Sequence, residues 1–171
     1  ALVLLFLSLL GTAALAESDR LKPVTPGYKL VFPQDYGAHQ DFRIEWWYIT
    51  GWLETEDKKP LGFQVTFFRY ATGQNHDNPS QFAAKYLIIA HLALSDPAAG
   101  KLMHEEKSLR EGFELAYAKE GNTDVKLDDW TLVREEGGRY QVEMQGNDFG
   151  LRLVLTPTEM ALLLDQYGFS R

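Results

Sequence analysis

The stretch FRIEWWYITGWL, from Phe42 to Leu53, decides the fold of this chain. It is dense in aromatic and β-branched residues, which favour β-strands. Alternation places one set of its side chains on a common face: Ile44, Trp46, Tyr48, Thr50 and Trp52. A polar turn at Glu56–Pro60 separates this stretch from a second strand-like run, Leu61–Tyr70. The two runs predict a β-hairpin with a loop of about five residues.

Further strand patterns follow towards the C-terminus. The apolar run Lys85–Leu94 is short, which favours a buried strand over a helix. Asp124–Arg134 and Arg139–Gln145 predict a second hairpin, and Phe149–Leu155 predicts another strand. Two segments stay open between a strand and other structure, Leu102–Tyr117 and Met160–Leu164. Seven or eight strands without helical crossovers indicate an all-β sandwich or an up-and-down barrel.

The N-terminal run Ala1–Ala16 is apolar throughout and ends in Ala14-Leu15-Ala16, an A-x-A cleavage pattern. It is too short to span about 30 Å of hydrocarbon. We interpret it as a signal peptide cleaved near Ala16, with a buried helix or an uncut anchor as the alternatives. Residues 17–41 are expected to form an extended leader, and residues 42–171 the folded domain. The protein is then exported, either to the periplasm or out of the cell.

Composition excludes several classes of function. The net charge is −7 and no basic patch is visible, which argues against a nucleic-acid partner. The chain has no cysteine, and no later apolar run is long enough for a transmembrane anchor. No G-x-S-x-G motif or phosphate-binding loop is present, and no cofactor is predicted. An aromatic share of 13% favours a β-rich core or an aromatic pocket.

Glu45 is the carboxylate with the most informative surroundings. Buried carboxylates are costly unless paired, so we expect an ion pair with Arg43 or with Arg69 on the partner strand. The alternative is a general acid or base whose pKa is raised by the neighbouring aromatic rings. His39 lies in the same constellation and is a candidate for acid–base chemistry.

His91 interrupts the apolar run and is most simply a core side chain, with proton transfer as the alternative. A metal site of His39, Glu45 and His91 lacks any recognised zinc spacing, so no metal is predicted. One aromatic set is most simply core, and alternatively the wall of a pocket for an extended apolar ligand: Trp46, Tyr48, Trp52, Phe63 and Phe67.

Four sequence blocks follow one another in the chain: Asp35-Tyr36-Gly37-Ala38-His39, Glu45-Trp46-Trp47-Tyr48-Ile49-Thr50-Gly51, Phe67-Phe68-Arg69 and Ala90-His91-Leu92-Ala93-Leu94-Ser95-Asp96. In this order they resemble the AttH/CrtC-like family, which includes carotenoid 1,2-hydratases and predicted secreted hydrolases. The resemblance covers Pro33–Arg171. It implies a lipocalin-like, calycin-type antiparallel barrel, usually the first of two in a chain about twice this length.

The resemblance also bears on the site. The acid–base residues of the hydratases belong to an Asp-His-Glu-Trp-like motif in the second half, and this chain has no such motif. The catalytic candidates are therefore local ones: Glu45, His39 and His91. The ligand-binding candidates are Trp46, Trp47, Tyr48, Phe67 and Arg69.

Together these observations predict an exported domain that binds a hydrophobic lipid- or carotenoid-like molecule as part of a hydratase or hydrolase. Any such enzyme would need the second half. The alternatives are a non-catalytic lipid carrier, or an accessory protein with an envelope or transporter partner.

Overall fold

The computed structural model describes residues 21–73 and 77–159. They form two antiparallel sheets. The first sheet has the order β1-β2-β3-β4, with strands β1 Ile44–Glu54, β2 Pro60–Ala71, β3 Tyr86–Asp96 and β4 Lys101–Arg110. The second has the order β5-β6-β7-β8-β9, with strands β5 Ala116–Ala118, β6 Asp124–Leu127, β7 Trp130–Arg134, β8 Tyr140–Gln145 and β9 Gly150–Leu155. The predicted all-β class is confirmed.

The first hairpin is confirmed. β1 and β2 pair along their whole length, from Ile44 opposite Tyr70 to Glu54 opposite Pro60. Residues 55–59 form the connecting loop. The hairpin matters for the site because its register places Glu45 directly opposite Arg69.

The hydrophobic core lies between the two sheets. The first sheet contributes alternate residues of β2 and β3, among them Phe63, Phe67 and Leu92, and the second contributes Trp130 and Val142. The prediction of a core position is therefore confirmed for Phe63 and Phe67.

The same prediction is wrong for three aromatic residues of β1. Trp46, Tyr48 and Trp52 are 60%, 52% and 77% exposed. The alternation of β1 is as predicted, but the second sheet covers the opposite face, which carries Glu45 and Trp47.

The closed barrel that the sequence predicted is not observed. Among the described strands, no ladder joins β4 to β5 or β9 to β1, so each sheet keeps its own edges. The break follows β4, where Gly112, Phe113 and Glu114 have positive φ values of 131°, 57° and 56°. Such left-handed backbone ends the ladder of the first sheet and redirects the chain into the second.

Two segments have a secondary structure that the sequence left open or assigned as a single strand. Leu102–Tyr117, left open, contains most of β4 and the start of β5. The single strand predicted over Asp124–Arg134 is wrong, because β6 and β7 are two arms of a hairpin turning at Asp128-Asp129. Asp128 has φ +59°, which aspartate tolerates better than most residues.

The leader is irregular as predicted within residues 21–41, apart from a short 3₁₀ helix at Gln34–Tyr36. It lies against the second sheet, where the Ala38 backbone N–H donates to the Lys119 carbonyl at 2.8 Å. Position 37 requires glycine, because a Cβ there would clash with the backbone nitrogens of Gly121 and Asn122. The predicted signal peptide and Met160–Leu164 lie outside the described residues. In the described part of the chain, no helix has the length and hydropathy to cross a membrane.

Candidate functional site

Glu45 and Arg69 form an ion pair on the inner face of the first sheet. The Glu45 Oε1 atom lies 3.1 Å from Arg69 Nη1. The Arg69 side chain is fully buried, and that of Glu45 is 14% exposed. Of the two partners predicted for Glu45, the structure selects Arg69.

The Arg69 guanidinium is held by several other groups. Its Nη2 donates to the Gln40 carbonyl at 3.0 Å and to Gln40 Oε1 at 2.6 Å. Its plane lies 4.0 Å from the centre of the Tyr86 ring. Stacking and bidentate donation are the contacts that make a buried arginine tolerable. Arg69 therefore joins the leader to the first sheet.

Glu45 is saturated with hydrogen bonds. The His39 backbone N–H lies 2.9 Å from both carboxylate oxygens, and His39 Nδ1 lies 3.0 Å from Oε2. Arg69 donates to the same carboxylate, so both oxygens of Glu45 accept hydrogen bonds from groups of the protein. A carboxylate held in this way has a structural role, because its oxygens are directed at protein groups and not at a ligand.

His39 links Glu45 to a second carboxylate. Its Nε2 lies 3.0 Å from Asp35 Oδ1, on the opposite side of the ring from Glu45. Asp35 also accepts from the Val31 backbone N–H at 2.6 Å and the Tyr28 hydroxyl at 3.2 Å. The row Asp35–His39–Glu45–Arg69 thus alternates acidic and basic groups across the leader and the first sheet.

This row changes the proton affinity of its members. Burial alone would lower the pKa of His39, but its hydrogen bonds to Asp35 and Glu45 raise that pKa above 6.5. Burial alone would raise the pKa of Asp35, but hydrogen bonds from Val31, His39 and Tyr28 lower it below 3.8. Both shifts favour a charged pair.

A third acidic group lies near Arg69. Burial raises the pKa of Glu111, while the charge of Arg69 opposes this shift. The Ala118 backbone N–H donates to Glu111 Oε1 at 3.4 Å. Glu111 is the acid of this region whose environment most favours a neutral form, and the sequence analysis did not identify it.

A cavity of about 610 Å³ lies beside this row, open to solvent where the free edge of β1 faces β9. This volume is within the range of small-molecule sites, about 300–1,000 Å³. Its walls include residues of both sheets and of the leader: Asp35, Tyr36, His39, Glu45, Trp47, Ile49, Thr123, Leu132, Tyr140 and Leu155.

The polar atoms around the cavity are largely occupied within the protein. Trp47 Nε1 donates to the Tyr36 carbonyl at 3.0 Å, and the Thr123 hydroxyl donates to the same carbonyl at 2.8 Å. The Arg134 guanidinium lies 4.2 Å from the Tyr36 ring centre. The wall therefore offers mainly aromatic and aliphatic surface, and its charged groups are those of the Asp35–His39–Glu45 row.

The arrangement does not suit a metal ion. Within residues 21–73 and 77–159, no group of three or more His, Asp or Glu side chains is placed to hold one. The geometry explains this result, because His39 directs its two ring nitrogens to carboxylates on opposite sides.

The other predicted site residues lie apart from the row. His91 is on the outer face of the first sheet, 45% exposed and 3.9 Å from Glu106, so its predicted core position is wrong. Trp46 and Tyr48 border the cavity, but their side chains are largely exposed. Phe67 is fully buried in the core. Trp47 is the predicted aromatic residue that is half-buried against the core and lines the cavity.

Sequence reasoning missed the cavity residues of the second sheet. Leu132, Tyr140 and Leu155 lie on β7, β8 and β9. Val142 and Met144, on the same face of β8 as Tyr140, are buried in the core. No local pattern indicated that Tyr140 would line a cavity together with Trp47, because that wall forms only when the two sheets pack.

The comparisons with known proteins agree with this architecture. A family model described as AttH-like matches residues 23–171. A crystal structure of an AttH candidate from Nitrosomonas europaea is similar to this chain, with 62% sequence identity and a TM-score of 0.77. The match covers 88% of this chain and 45% of that one, so this chain spans less than half the length of the relative. No curated protein matches the chain. The chain belongs to the AttH-like family.

Proposed function

We propose that this chain is the ligand-binding N-terminal half of an exported AttH-like protein, and that it binds a hydrophobic, lipid- or carotenoid-like molecule. The observation that carries the proposal is the cavity of about 610 Å³, which has aromatic and aliphatic walls and contains His39. Ligand sites are typically concave and mostly apolar, with a few polar groups that orient the ligand.

His39 marks the polar side of the cavity. Its raised pKa favours a positive charge, which Asp35 and Glu45 balance. The His39 side chain is 27% exposed and lines the cavity, but Asp35 and Glu45 engage both ring nitrogens, so His39 offers a ligand the face of its ring. An extended lipid or polyene would place its chain along Trp47, Ile49 and Leu155.

Binding is favoured over catalysis for this half of the protein. Hydration of an isolated alkene needs a carboxylic acid that can protonate carbon in a dry site. Glu45 was the candidate, and its oxygens are engaged by His39 and Arg69. We therefore assign Glu45 a structural role and propose that any hydratase or hydrolase chemistry depends on residues outside this half.

Export, the lipocalin-like architecture of the complete protein and a second domain are parts of the same proposal. The Ala1–Ala16 run supports export. N-terminal sequencing of the protein from its own host should find Glu17 as the first residue. A mature product that still begins with the apolar run would contradict export.

The binding proposal is tested with cis-parinaric acid, a fluorescent polyene carboxylic acid. Thr156 is exposed at the border of the cavity, so Thr156→Trp should narrow its opening without disturbing the core. Thr158→Trp is the matched control, because Thr158 is also exposed and does not line the cavity. We expect binding by the wild type and the control, and affinity at least about tenfold weaker, or about 1.4 kcal/mol, for Thr156→Trp.

Three results would contradict the proposal. The first is a wild-type protein that does not bind the probe, and the second is a Thr156→Trp variant that binds it as tightly as the control. The third is conversion of the polyene, detected by mass spectrometry as the gain of water, that is lost in a folded Glu45→Gln variant. That third result would favour the enzymatic alternative.

A further inference from the structure

The outer face of the first sheet carries a cluster of exposed aromatic and aliphatic side chains. We call the following set the outer aromatic face: Ile44, Trp46, Tyr48, Trp52, Phe68 and Leu102. Trp46 and Trp52 are 60% and 77% exposed, and Leu102 is 60% exposed. The register places Trp46 opposite Phe68 and Ile44 opposite Tyr70, so that the apolar side chains are contiguous across strands.

Charge is absent from most of this face. The outward-facing residues are the even-numbered ones in 44–52 of β1 and 62–70 of β2, and the odd-numbered ones in 87–95 of β3. None of them is Asp, Glu, Lys or Arg. The chain as a whole is 24% charged. The polar residues Gln64, Thr66 and His91 lie within the face, and charge returns at its border, where the outer side of β4 carries Glu106. Depletion of charged residues with enrichment of aromatic ones is the compositional signal of the core of a protein–protein interface.

The face also has a depression that suits an inserted side chain. A groove of about 520 Å³ lies between Trp52, Phe63 and Leu102. Gly62 opens it, because a Cβ there would come within 3.3 Å of the Trp52 ring. Tryptophan is enriched where binding energy concentrates in interfaces, and this groove lies at the end of the face nearest the β1–β2 loop.

The size of the face fits a domain contact. Three strands about 4.8 Å apart and about 34 Å long present about 500 Å². Burying this area on both partners gives about 1,000 Å², within the range of about 600–1,500 Å² for contacts between domains of one chain. An exposed apolar patch of this extent on a monomer usually marks an interaction site.

The length of the similar AttH candidate indicates which partner covers the outer aromatic face. This chain matches 45% of a solved AttH candidate at 62% identity, so more than half of that chain lies outside the match. We propose that the outer aromatic face is the docking surface for the second half of the longer protein. The cavity lies against the opposite, inner side of the first sheet, so this inference does not need the proposed ligand, but it rests on the second domain of the proposed function.

The test uses the complete protein that contains this chain. The chain has no cysteine, so a single introduced thiol reports on one position. Ser95→Cys is nearly isosteric, and Ser95 is exposed and lines the groove. Ser80→Cys is the matched control, in the exposed loop between β2 and β3. A second variant, Thr50→Cys, repeats the measurement on β1 if Ser95→Cys does not fold.

We expect alkylation of Ser95→Cys at least about tenfold slower than that of Ser80→Cys, because labelling requires local opening. The protection should not change on dilution. A benzophenone maleimide on Ser95→Cys should cross-link within one molecule to peptides beyond Arg171.

The proposal is overturned by any of three results. The thiol at position 95 reacts as fast as the control. Its protection disappears on dilution. The cross-linked peptides fall within residues 1–171 of a second molecule, which would show that a copy of this chain occupies the face.

Discussion

Glu45 and Arg69 stand directly opposite each other in the β1–β2 ladder, and their charged groups meet 3.1 Å apart on the covered side of the sheet. Cross-strand neighbours on one face have Cβ atoms about 5 Å apart, so long side chains there meet. The pair holds more than two strands together. Through Gln40 and His39 it fastens the leader across the cavity wall.

Removing the cation should be strongly destabilising. Arg69→Met leaves Glu45 and the Gln40 carbonyl without their fully buried partner. We expect the free energy of unfolding to fall by about 3–5 kcal/mol, the usual effect of breaking a buried pair. Urea unfolding followed by tryptophan fluorescence measures the change.

The matched control is the exposed pair of Glu54 and Lys58, whose side chains are 59% and 80% exposed. Glu54→Gln should change the free energy of unfolding by less than about 1 kcal/mol. Equal effects of Arg69→Met and Glu54→Gln would show that Glu45 and Arg69 are not a buried pair.

His39 should make stability depend on pH. Its pKa is raised above 6.5 in the folded state, so the folded protein binds this proton more tightly than the unfolded chain. The resulting stability is complete below pH 6.5 and is lost as the pH rises through the folded-state pKa. Unfolding free energies measured between about pH 5 and about pH 8 should therefore decline at the upper end.

His39→Gln should flatten that decline. His91→Gln is the control, because His91 is 45% exposed and reaches Glu106 only at 3.9 Å. If His91→Gln flattens the profile and His39→Gln does not, the assignment to the Asp35–His39–Glu45 row is wrong.

Asp35 should make the stability of the fold depend on pH in the acidic range. Its pKa is lowered below 3.8, so its contribution is present above pH 3.8 and is lost as the pH falls through the folded-state value. Asp35→Asn should reduce acid sensitivity in that range while lowering stability at neutral pH. An unchanged acid transition would contradict this assignment.

Gly37 should tolerate no side chain. A Cβ there would lie 2.7 Å from the Asn122 backbone nitrogen and closer still to that of Gly121. Gly37→Ala must displace the leader, and we expect a loss of more than about 2 kcal/mol, at the upper end of overpacking effects. Gly51→Ala is the control, because its Cβ meets only the Phe63 ring, at 3.1 Å. A lower Tm for Gly51→Ala than for Gly37→Ala would contradict this account.

Two adjacent phenylalanines test which face of the first sheet is buried. Phe67 is fully buried, and Phe68 lies on the outer side opposite Trp46. In this chain, Phe67→Ala should lower the free energy of unfolding by about 3–5 kcal/mol, as in other cores. Phe68→Ala should cost much less there. Chemical denaturation of both variants measures the difference, and equal costs would show that the outer face is packed as tightly as the core.

Much of the local structure was predictable from single segments. The hairpin of β1 and β2 followed from two alternating runs and a polar turn. The position of Glu45 among aromatic residues predicted an ion pair but left its partner open between Arg43 and Arg69, and the structure decided for Arg69. The division of Asp124–Arg134 was missed because Asp128-Asp129 lacks the glycine that usually marks a two-residue turn.

The candidate site was predictable only in part. His39, Glu45, Trp47 and Arg69 were identified from composition and motif, and they do lie together. Glu111 and the cavity residues Leu132 and Tyr140 were not identified, because they approach the row only after the second sheet folds over the first.

The sequence alone determined the all-β class, the strand alternation and the family, because side-chain period and short motifs are properties of neighbouring residues. Tertiary structure decided which side of β1 faces inward. Both sides of that strand carry large apolar side chains, so alternation alone allows either side to face inward, and the choice depends on which side the second sheet covers. The same packing brings the leader to Glu45 and creates the cavity, since each requires surfaces from distant parts of the chain.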